Sequence, residues 1–149
     1  MKALLNSLSI LLIGVVLTAC GGKMTLTNVN FATPFEKVMS INENGQVADQ
    51  RSGLTFNVVQ MLTKENISLQ DAIGSNVHVI RNQQGFYFVT ATGFKYVYVM
   101  ESAESSLKTV NTIKISDAGL QSPAFNQRNQ YIQLIDSGRA FNLTRNGIQ

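Results

Sequence analysis

Short runs of β-branched and aromatic residues, separated by polar turns that contain glycine, dominate the second half of the chain. The clearest runs are 77–80, 86–90, 94–100, 110–115, 131–135 and 139–144. Runs of about four to eight such residues between turn signals are typical of β-strands. Because the connections are short, the pattern predicts that successive strands pair as a largely antiparallel meander.

Helical patterns are weaker and lie between the strand patterns. One set of positions would share a helical face, with the spacing i, i+3, i+4 and i+7: Val58, Met61, Leu62 and Glu65. Residues 54–58 also alternate as a strand does, so the pattern leaves 55–65 open between helix and strand. Residues 102–108 are expected to form one or two further helical turns between strands.

A second short helix is predicted over 69–73. Ser68 precedes it as a capping residue, and Gly74 follows it as a stop signal. Asp71 lies near the amino-terminal amides, where a negative charge is favourable. Together these elements predict an α+β fold, mostly an antiparallel β meander with one or two short helices packed against the sheet.

The aromatic hairpin within the meander carries the clearest side-chain pattern. If 91–93 forms its loop, Phe88 lies opposite Tyr96. Alternation then places one apolar set on a single side of the sheet: Phe86, Phe88, Phe94, Tyr96, Tyr98 and Met100. This face could bind a ligand or a partner, but the favoured interpretation is that it forms the main core. Since both faces are apolar, we expect the hairpin to be central and covered on each side.

The first residues of the chain have the pattern of an export signal. Lys2 supplies a positive charge, and 4–17 are mainly Leu, Ile and Val. The run ends in Leu17-Thr18-Ala19-Cys20, which resembles the lipobox of bacterial lipoproteins. That resemblance implies a diacylglyceryl group on the Cys20 thiol, cleavage before Cys20 and further acylation, for example with palmitate. The mature protein would then be bound to a membrane through its lipid.

The same resemblance suggests a location and a division of the chain. By analogy with enteric lipoproteins, Gly21 after the lipidated cysteine implies the cell envelope, and there the periplasmic side of the outer membrane. The expected organisation is a removed signal peptide over 1–19, a lipidated cysteine and tether over 20–34, and one globular β-rich domain over 35–149.

Composition excludes several classes of protein. Only 14% of the 149 residues are charged, against roughly 25% in typical soluble domains. A net charge of +3 and the absence of tryptophan argue against a nucleic-acid surface. One cysteine and one histidine exclude an intrachain disulfide framework and a Cys/His zinc site. No cofactor and no metal are expected.

Candidate catalytic groups are few. His78 lies on a predicted strand and is expected to be solvated or hydrogen-bonded rather than a general base. Ser105 and Lys108 have the Ser-x-x-Lys spacing of penicillin-binding enzymes, but the other motifs of those families are missing from the sequence. Glu101 and Glu104 are too close in sequence to flank a sugar-sized cleft.

The predicted function is therefore that of a lipid-anchored, non-catalytic structural or adaptor protein that binds another envelope protein. A ligand- or inhibitor-type binding module at the cell surface or in the periplasm stays open as the alternative. A hydrolase of the envelope is disfavoured, because no nucleophile lies beside a base in the sequence motifs.

Overall fold

The computed structural model describes residues 35–103 and 106–149. The predicted signal peptide, Cys20 and the tether lie outside the described residues, as do Glu104 and Ser105. The described chain forms these strands and helices in order: β1 (Lys37–Ser40), β2 (Gln46–Asp49), β3 (Leu54–Asn57), α1 (Val59–Glu65), α2 (Leu69–Ala72), β4 (Asn76–Arg81), β5 (Tyr87–Ala91), β6 (Tyr96–Ala103), β7 (Ser106–Lys114), β8 (Pro123–Gln127), β9 (Ile132–Asp136), β10 (Arg139–Thr144) and β11 (Gly147–Ile148).

The strands form three antiparallel sheets. A central sheet has five strands in the order β1-β4-β5-β6-β7, and an outer sheet has four strands in the order β11-β10-β9-β8. The hairpin β2-β3 forms the third sheet. Consecutive strands pair within β4–β7 and within β8–β11, so the prediction of a β-rich, mostly antiparallel chain with one or two short helices is confirmed. The predicted meander is divided between two sheets, because β7 and β8 do not pair.

Both faces of the central sheet are buried, against different layers. On one face the sheet packs against the helices and the β2-β3 hairpin, in what we call the helix-side core: Val77, Val79, Val89, Tyr98, Val47, Val58, Met61 and Leu62 are among its members. On the other face it packs against the outer sheet, in the sheet-side core: Ile80, Phe88, Val97, Val99, Phe125, Ile132, Leu134 and Leu143 are among its members. The expected central position of the aromatic hairpin is confirmed.

The ambiguous segment 55–65 contains both structures in succession. Leu54–Asn57 is a strand, in which Phe56 lies opposite Val47, and the helix Val59–Glu65 follows at once. The Asn57 side chain accepts a hydrogen bond from the Val59 N–H at 2.8 Å and so stabilises the change of direction. Each competing pattern is therefore correct for its own part of the segment.

The second helix is confirmed with its cap. Ser68 Oγ accepts a hydrogen bond from the Asp71 N–H at 3.2 Å. Gly74 has φ of +81°, a left-handed conformation that favours glycine after a helix.

The helical turns expected over 102–108 are wrong. The strands β6 and β7 extend through this segment on either side of 104–105, with Ala103 opposite Ser106 and Glu101 opposite Lys108. Pairing between two long strands overrides the local helical preference of Ala and Glu.

The predicted register of the aromatic hairpin is also wrong. Phe88 lies opposite Val99, and Val89 lies opposite Tyr98. The connection is 92–95 rather than 91–93, because β5 continues to Ala91 and β6 begins only at Tyr96. This odd-numbered change moves every side chain of one strand to the other face relative to its neighbour.

Candidate functional site

The five aromatic residues of the predicted binding face do not share a face. Phe88 is buried in the sheet-side core, and Phe86 packs against the same core. The other three belong to the helix-side core, with Phe94 and Tyr98 buried and Tyr96 partly buried. The interpretation of these residues as core is confirmed for Phe88, Phe94 and Tyr98, and the single aromatic binding face is wrong.

A buried carboxylate, that of Glu65, fixes the position of the β5–β6 connection. Glu65 on α1 accepts hydrogen bonds from the Lys95 N–H at 2.8 Å and from the Tyr96 N–H at 3.2 Å. It also accepts one from the Tyr98 hydroxyl at 3.0 Å. Burial, reinforced by the Glu65 charge, raises the pKa of Tyr98 far above its ordinary value. These groups hold the loop in place, and the Glu65 and Tyr98 side chains at their centre are buried and so offer little surface to a ligand.

His78 holds strands together. Its Nδ1 lies 2.9 Å from Glu36 Oε1, and the same carboxylate oxygen accepts a hydrogen bond from the Phe125 N–H at 2.8 Å. Glu36 therefore connects β4 of the central sheet to β8 of the outer sheet. The expectation of a hydrogen-bonded histidine is confirmed. Within 35–103 and 106–149, no group of three or more His, Cys, Asp or Glu side chains is arranged to hold a metal ion.

The edge of the central sheet at β1 carries exposed apolar side chains. Among the described strands, β1 is hydrogen-bonded to a neighbour on one side only, where it pairs with β4. Val38 on this edge is 50% exposed, and Phe35, just before the strand, is 76% exposed. An edge of this kind presents backbone N–H and C=O groups to an incoming strand.

A groove lies beside this edge, between β1 and β2. It has a volume of about 480 Å³, and residues of both strands and of the turn after β2 line it: Lys37, Val38, Ala48, Asp49 and Arg51 are among them. The groove and the open edge together form what we call the β1 site.

A second cleft adjoins the β1 site through Lys37 and Arg51, which line both. This basic cleft has a volume of about 600 Å³ and lies between the β2–β3 turn and one end of the central sheet. Its walls combine cationic and apolar groups: Lys37, Arg51, Arg81, Leu54, Val79 and Tyr87.

Hydrogen bonds fix the walls of the basic cleft. Lys37 Nζ lies 2.5 Å from Asp49 Oδ2, and Ser52 Oγ donates to the same carboxylate oxygen at 2.6 Å. The hydrogen bond from Lys37, with that from Ser52, lowers the pKa of Asp49 from 3.8 to about 2. On the opposite wall, Arg81 Nε donates to the Gly85 carbonyl oxygen at 3.3 Å.

The sequence contained one sign of the basic cleft. In β4, Val77 and Val79 alternate on the buried face, and Arg81 continues the same alternation beyond the core. The remaining walls come from β1 and the β2–β3 turn. Their positions follow from the pairing of β1 with β4, which no local pattern indicates.

Comparison with family models, with curated proteins and with solved structures finds no match to this chain. Among the helices that the structure describes, none has the length and apolar character required to span a membrane.

Proposed function

We propose that this chain is a lipid-anchored, non-catalytic protein of the bacterial cell envelope that binds another envelope protein through the β1 site. The observation that carries the proposal is the edge of β1, which pairs with no strand other than β4 among the described residues and where Val38 and the neighbouring Phe35 are exposed beside a groove. A partner segment in extended conformation would add a strand there, with main-chain hydrogen bonds for affinity and the groove for side-chain selection.

The opposite edge of the same sheet supports this choice, because it has the features that discourage strand addition. On β7, Lys108 and Lys114 are exposed, and the pairing with β6 shifts register between Val99 and Met100. Charged side chains and bulges are common means by which proteins prevent edge-to-edge association. Lys114 is paired with Asp117 but keeps 55% of its side chain exposed, whereas the one lysine of β1, Lys37, is paired with Asp49 and only 21% exposed.

The lipid anchor would assist such an interaction. Cys20 stands fifteen residues before Phe35 in the sequence. At about 0.8 kcal/mol per buried CH₂ group, two or three acyl chains hold a small protein on a bilayer. Confinement to the membrane raises the effective concentration of two partners, so a small interface is sufficient. Attachment to the outer membrane on its periplasmic side is part of the proposal and rests on the lipobox resemblance with Gly21.

A second candidate function is a binding module for a small ligand or for an enzyme that it inhibits. The basic cleft favours it, since its volume of about 600 Å³ lies within the range of about 300–1,000 Å³ for small-molecule sites. A ligand that raises the melting temperature without any protein partner would favour this candidate.

Photocrosslinking in cells tests the β1 site. A photoreactive amino acid at position 35 of the full-length protein should give one dominant protein adduct. Val38→Lys should reduce the adduct yield by about fivefold or more, because a charge on the edge opposes strand addition. Val110→Lys is the matched control, since Val110 is an exposed apolar residue of β7, on the other edge. Equal adduct yields in the two variants, at equal abundance, would contradict the proposal.

Lipidation is tested separately by intact mass and membrane fractionation. The membrane-extracted protein should lack residues 1–19 and carry acyl mass on Cys20, whereas Cys20→Ser should stay unprocessed and give a lower adduct yield. Maturation and fractionation of Cys20→Ser like the unchanged protein would refute the anchor.

A further inference from the structure

We propose that a polar pocket, where the central sheet meets the start of β8, binds a neutral sugar, either free or as one residue of a glycan. The pocket has a volume of about 440 Å³, within the range of about 300–1,000 Å³ for small-molecule sites. Six side chains with hydrogen-bonding groups line it: Ser75, Asn76, His78, Thr92, Gln121 and Ser122. The site needs neither the lipid anchor nor the partner proposed for the β1 site.

Three segments that are distant in the sequence form the walls of the polar pocket. Asn76 and His78 lie two residues apart on β4 and therefore share a face of the central sheet. Thr92 follows β5, the neighbour of β4 in that sheet. The end of the loop 115–122, between β7 and β8, supplies the third wall. The pocket is thus a product of the tertiary fold and not of one local turn.

Hydrogen bonds hold these walls in place before any ligand arrives. The buried carboxylate of Asp136 accepts hydrogen bonds from the Gln121 N–H at 2.8 Å and from the Ser122 N–H at 2.7 Å. The Gly93 N–H donates to the Leu120 carbonyl oxygen at 2.7 Å, which joins the β5–β6 connection to the same loop. The remaining wall, β4, is paired with β1 and with β5. Little backbone freedom is therefore lost on binding.

Glu36 orients the histidine of the polar pocket. Its Oε1 lies 2.9 Å from His78 Nδ1, and because a carboxylate accepts, the shared hydrogen belongs to Nδ1. The other ring nitrogen, Nε2, makes no hydrogen bond within the part of the chain that the structure describes. In the neutral ring Nε2 accepts a hydrogen bond. His78 therefore offers an acceptor whose ring is already fixed.

The other polar groups of the pocket are also available to a ligand. Within 35–103 and 106–149, the side-chain hydroxyls of Ser75, Thr92 and Ser122 make no hydrogen bond. The carboxamides of Asn76 and Gln121 each make one and keep further donor or acceptor capacity. Hydroxyl and carboxamide groups both donate and accept, so the pocket presents both kinds of group on three sides.

This set of groups favours a neutral ligand with many hydroxyls. No Lys, Arg, Asp or Glu is among the described residues that line the pocket. An ion would lose hydration there without meeting a group of opposite charge on the walls. An apolar compound would leave the polar groups without partners. A sugar ring presents hydroxyls in several directions, and each hydroxyl donates and accepts, which matches the three polar walls.

The single histidine of the sequence makes a direct test possible. Because His78 lines the pocket, the only histidine ring signals in an NMR spectrum of the untagged, full-length protein report on this site. The protein is kept in a polyoxyethylene detergent, which carries no sugar. The sugar probes are glucose, galactose, mannose and N-acetylglucosamine. The comparison probes are glucuronate, cyclohexanol and N-acetylglycinamide, which are anionic, largely apolar and a neutral amide.

We expect at least one of the four sugars to shift the His78 ring resonances saturably, with a dissociation constant of about 1–10 mM. The three comparison probes should bind about fivefold more weakly or less, since each lacks part of the match. Saturable sugar binding that leaves the His78 resonances unchanged would overturn the inference. So would equal binding of cyclohexanol, or no saturable shift with any of the four sugars.

Variants of exposed residues locate the binding. Thr92→Val removes one hydroxyl and should weaken the binding of the sugar by about threefold to tenfold, whereas Thr92→Ser keeps the hydroxyl and should bind normally. Thr109→Val is the matched control, because Thr109 is an exposed threonine of β7, on the far edge of the central sheet. Equal effects of Thr92→Val and Thr109→Val, at equal melting temperature, would refute the polar pocket as the site.

A last comparison distinguishes a free sugar from a residue of a glycan. Asn76, Thr92 and Gln121 are exposed at the rim of the pocket, where a linked chain would leave it. The sugar that binds best is compared with its two methyl glycosides, in which the anomeric oxygen is blocked as it is in a glycan. Binding of a methyl glycoside with unchanged affinity supports a glycan as the source. A loss of about tenfold or more with both glycosides supports a free sugar at the same site.

Discussion

Removal of the Glu65 carboxylate should destabilise the fold more than any other single charge change on α1. Glu65 is 5% exposed and accepts three hydrogen bonds, from the Lys95 and Tyr96 N–H groups and from the Tyr98 hydroxyl. A hydrogen bond to a charged group contributes about 1.5–3 kcal/mol, and a buried donor without a partner costs about 1–3 kcal/mol. Because the three bonds share one carboxylate, they are not additive.

Glu65→Gln should therefore lower the free energy of unfolding by about 2–3 kcal/mol, because the amide nitrogen cannot accept a hydrogen bond. Tyr98→Phe removes only the hydroxyl and should cost about 1–2 kcal/mol. At about 4 °C per kcal/mol for a chain of this size, Glu65→Gln should lower the melting temperature by about 8–12 °C. The loss is a large part of the 5–15 kcal/mol that stabilises typical domains.

Thermal unfolding of the full-length protein, followed by circular dichroism, measures these differences. Glu43→Gln is the matched control, since Glu43 is exposed, and it should change stability by less than about 0.5 kcal/mol. The double variant Glu65→Gln/Tyr98→Phe should be less destabilised than the sum of the two single variants. Similar melting temperatures for Glu65→Gln and Glu43→Gln would refute the view that this carboxylate fixes the β5–β6 connection.

Three further changes test other parts of the fold. Phe88→Ala empties a fully buried position of the sheet-side core and should cost about 3–5 kcal/mol in chemical denaturation. The hydrogen bond from Lys37 lowers the pKa of Asp49 from 3.8 to about 2. The ionised Asp49 carboxylate therefore stabilises the fold fully above pH 3.8, and this stabilisation is lost as the pH falls to about 2. Melting curves across this pH range should show the loss. Gly119→Ala should destabilise more than Gly138→Ala, because a Cβ at Gly119 would lie 2.6 Å from a backbone carbonyl oxygen, whereas none lies within 4 Å of Gly138.

A specific result would contradict each of these three expectations. Phe35→Ala, at a position 76% exposed, should leave stability nearly unchanged; a loss equal to that of Phe88→Ala would contradict the assignment of the core. Asp49→Asn should make the melting temperature less dependent on pH in the acidic range. An unchanged pH dependence would mean that the ion pair adds nothing to stability. Gly119 and Gly138 both have positive φ, of +85° and +82°. Equal destabilisation by the two substitutions would therefore mean that the backbone strain of alanine at positive φ accounts for the whole loss, and that the predicted clash at Gly119 adds nothing.

Local patterns predicted the parts of the fold that depend on neighbouring residues. Strand positions, the Ser68 cap and the turn after β9 follow from alternation, side-chain capping and glycine. The register of the β5–β6 hairpin depends instead on Glu65, which lies thirty residues before Lys95 in the sequence. Glu65 is the one polar residue on the apolar face of the predicted helix, and this exception is the sign of a buried carboxylate that the sequence contains.

The candidate sites depend on longer-range pairing still. The Phe125 N–H is hydrogen-bonded to a carboxylate 89 positions earlier, that of Glu36. The basic cleft is assembled from β1, the β2–β3 turn and the adjoining ends of β4 and β5. A single sequence records the residue types of these walls but not which strands become neighbours, so the cleft could not be predicted.

The division of the central sheet between two cores has a consequence for the order in which the fold can be completed. The whole outer sheet comes from 123–148, after every strand of the central sheet in the sequence. A chain synthesised or translocated from its amino terminus therefore presents one side of the central sheet to water until these last strands follow. During that interval Ile80, Phe88 and Val99 form an exposed apolar surface that is prone to aggregation. A truncation before residue 123 would leave this surface permanently uncovered, and such a product should aggregate rather than accumulate as a smaller folded protein.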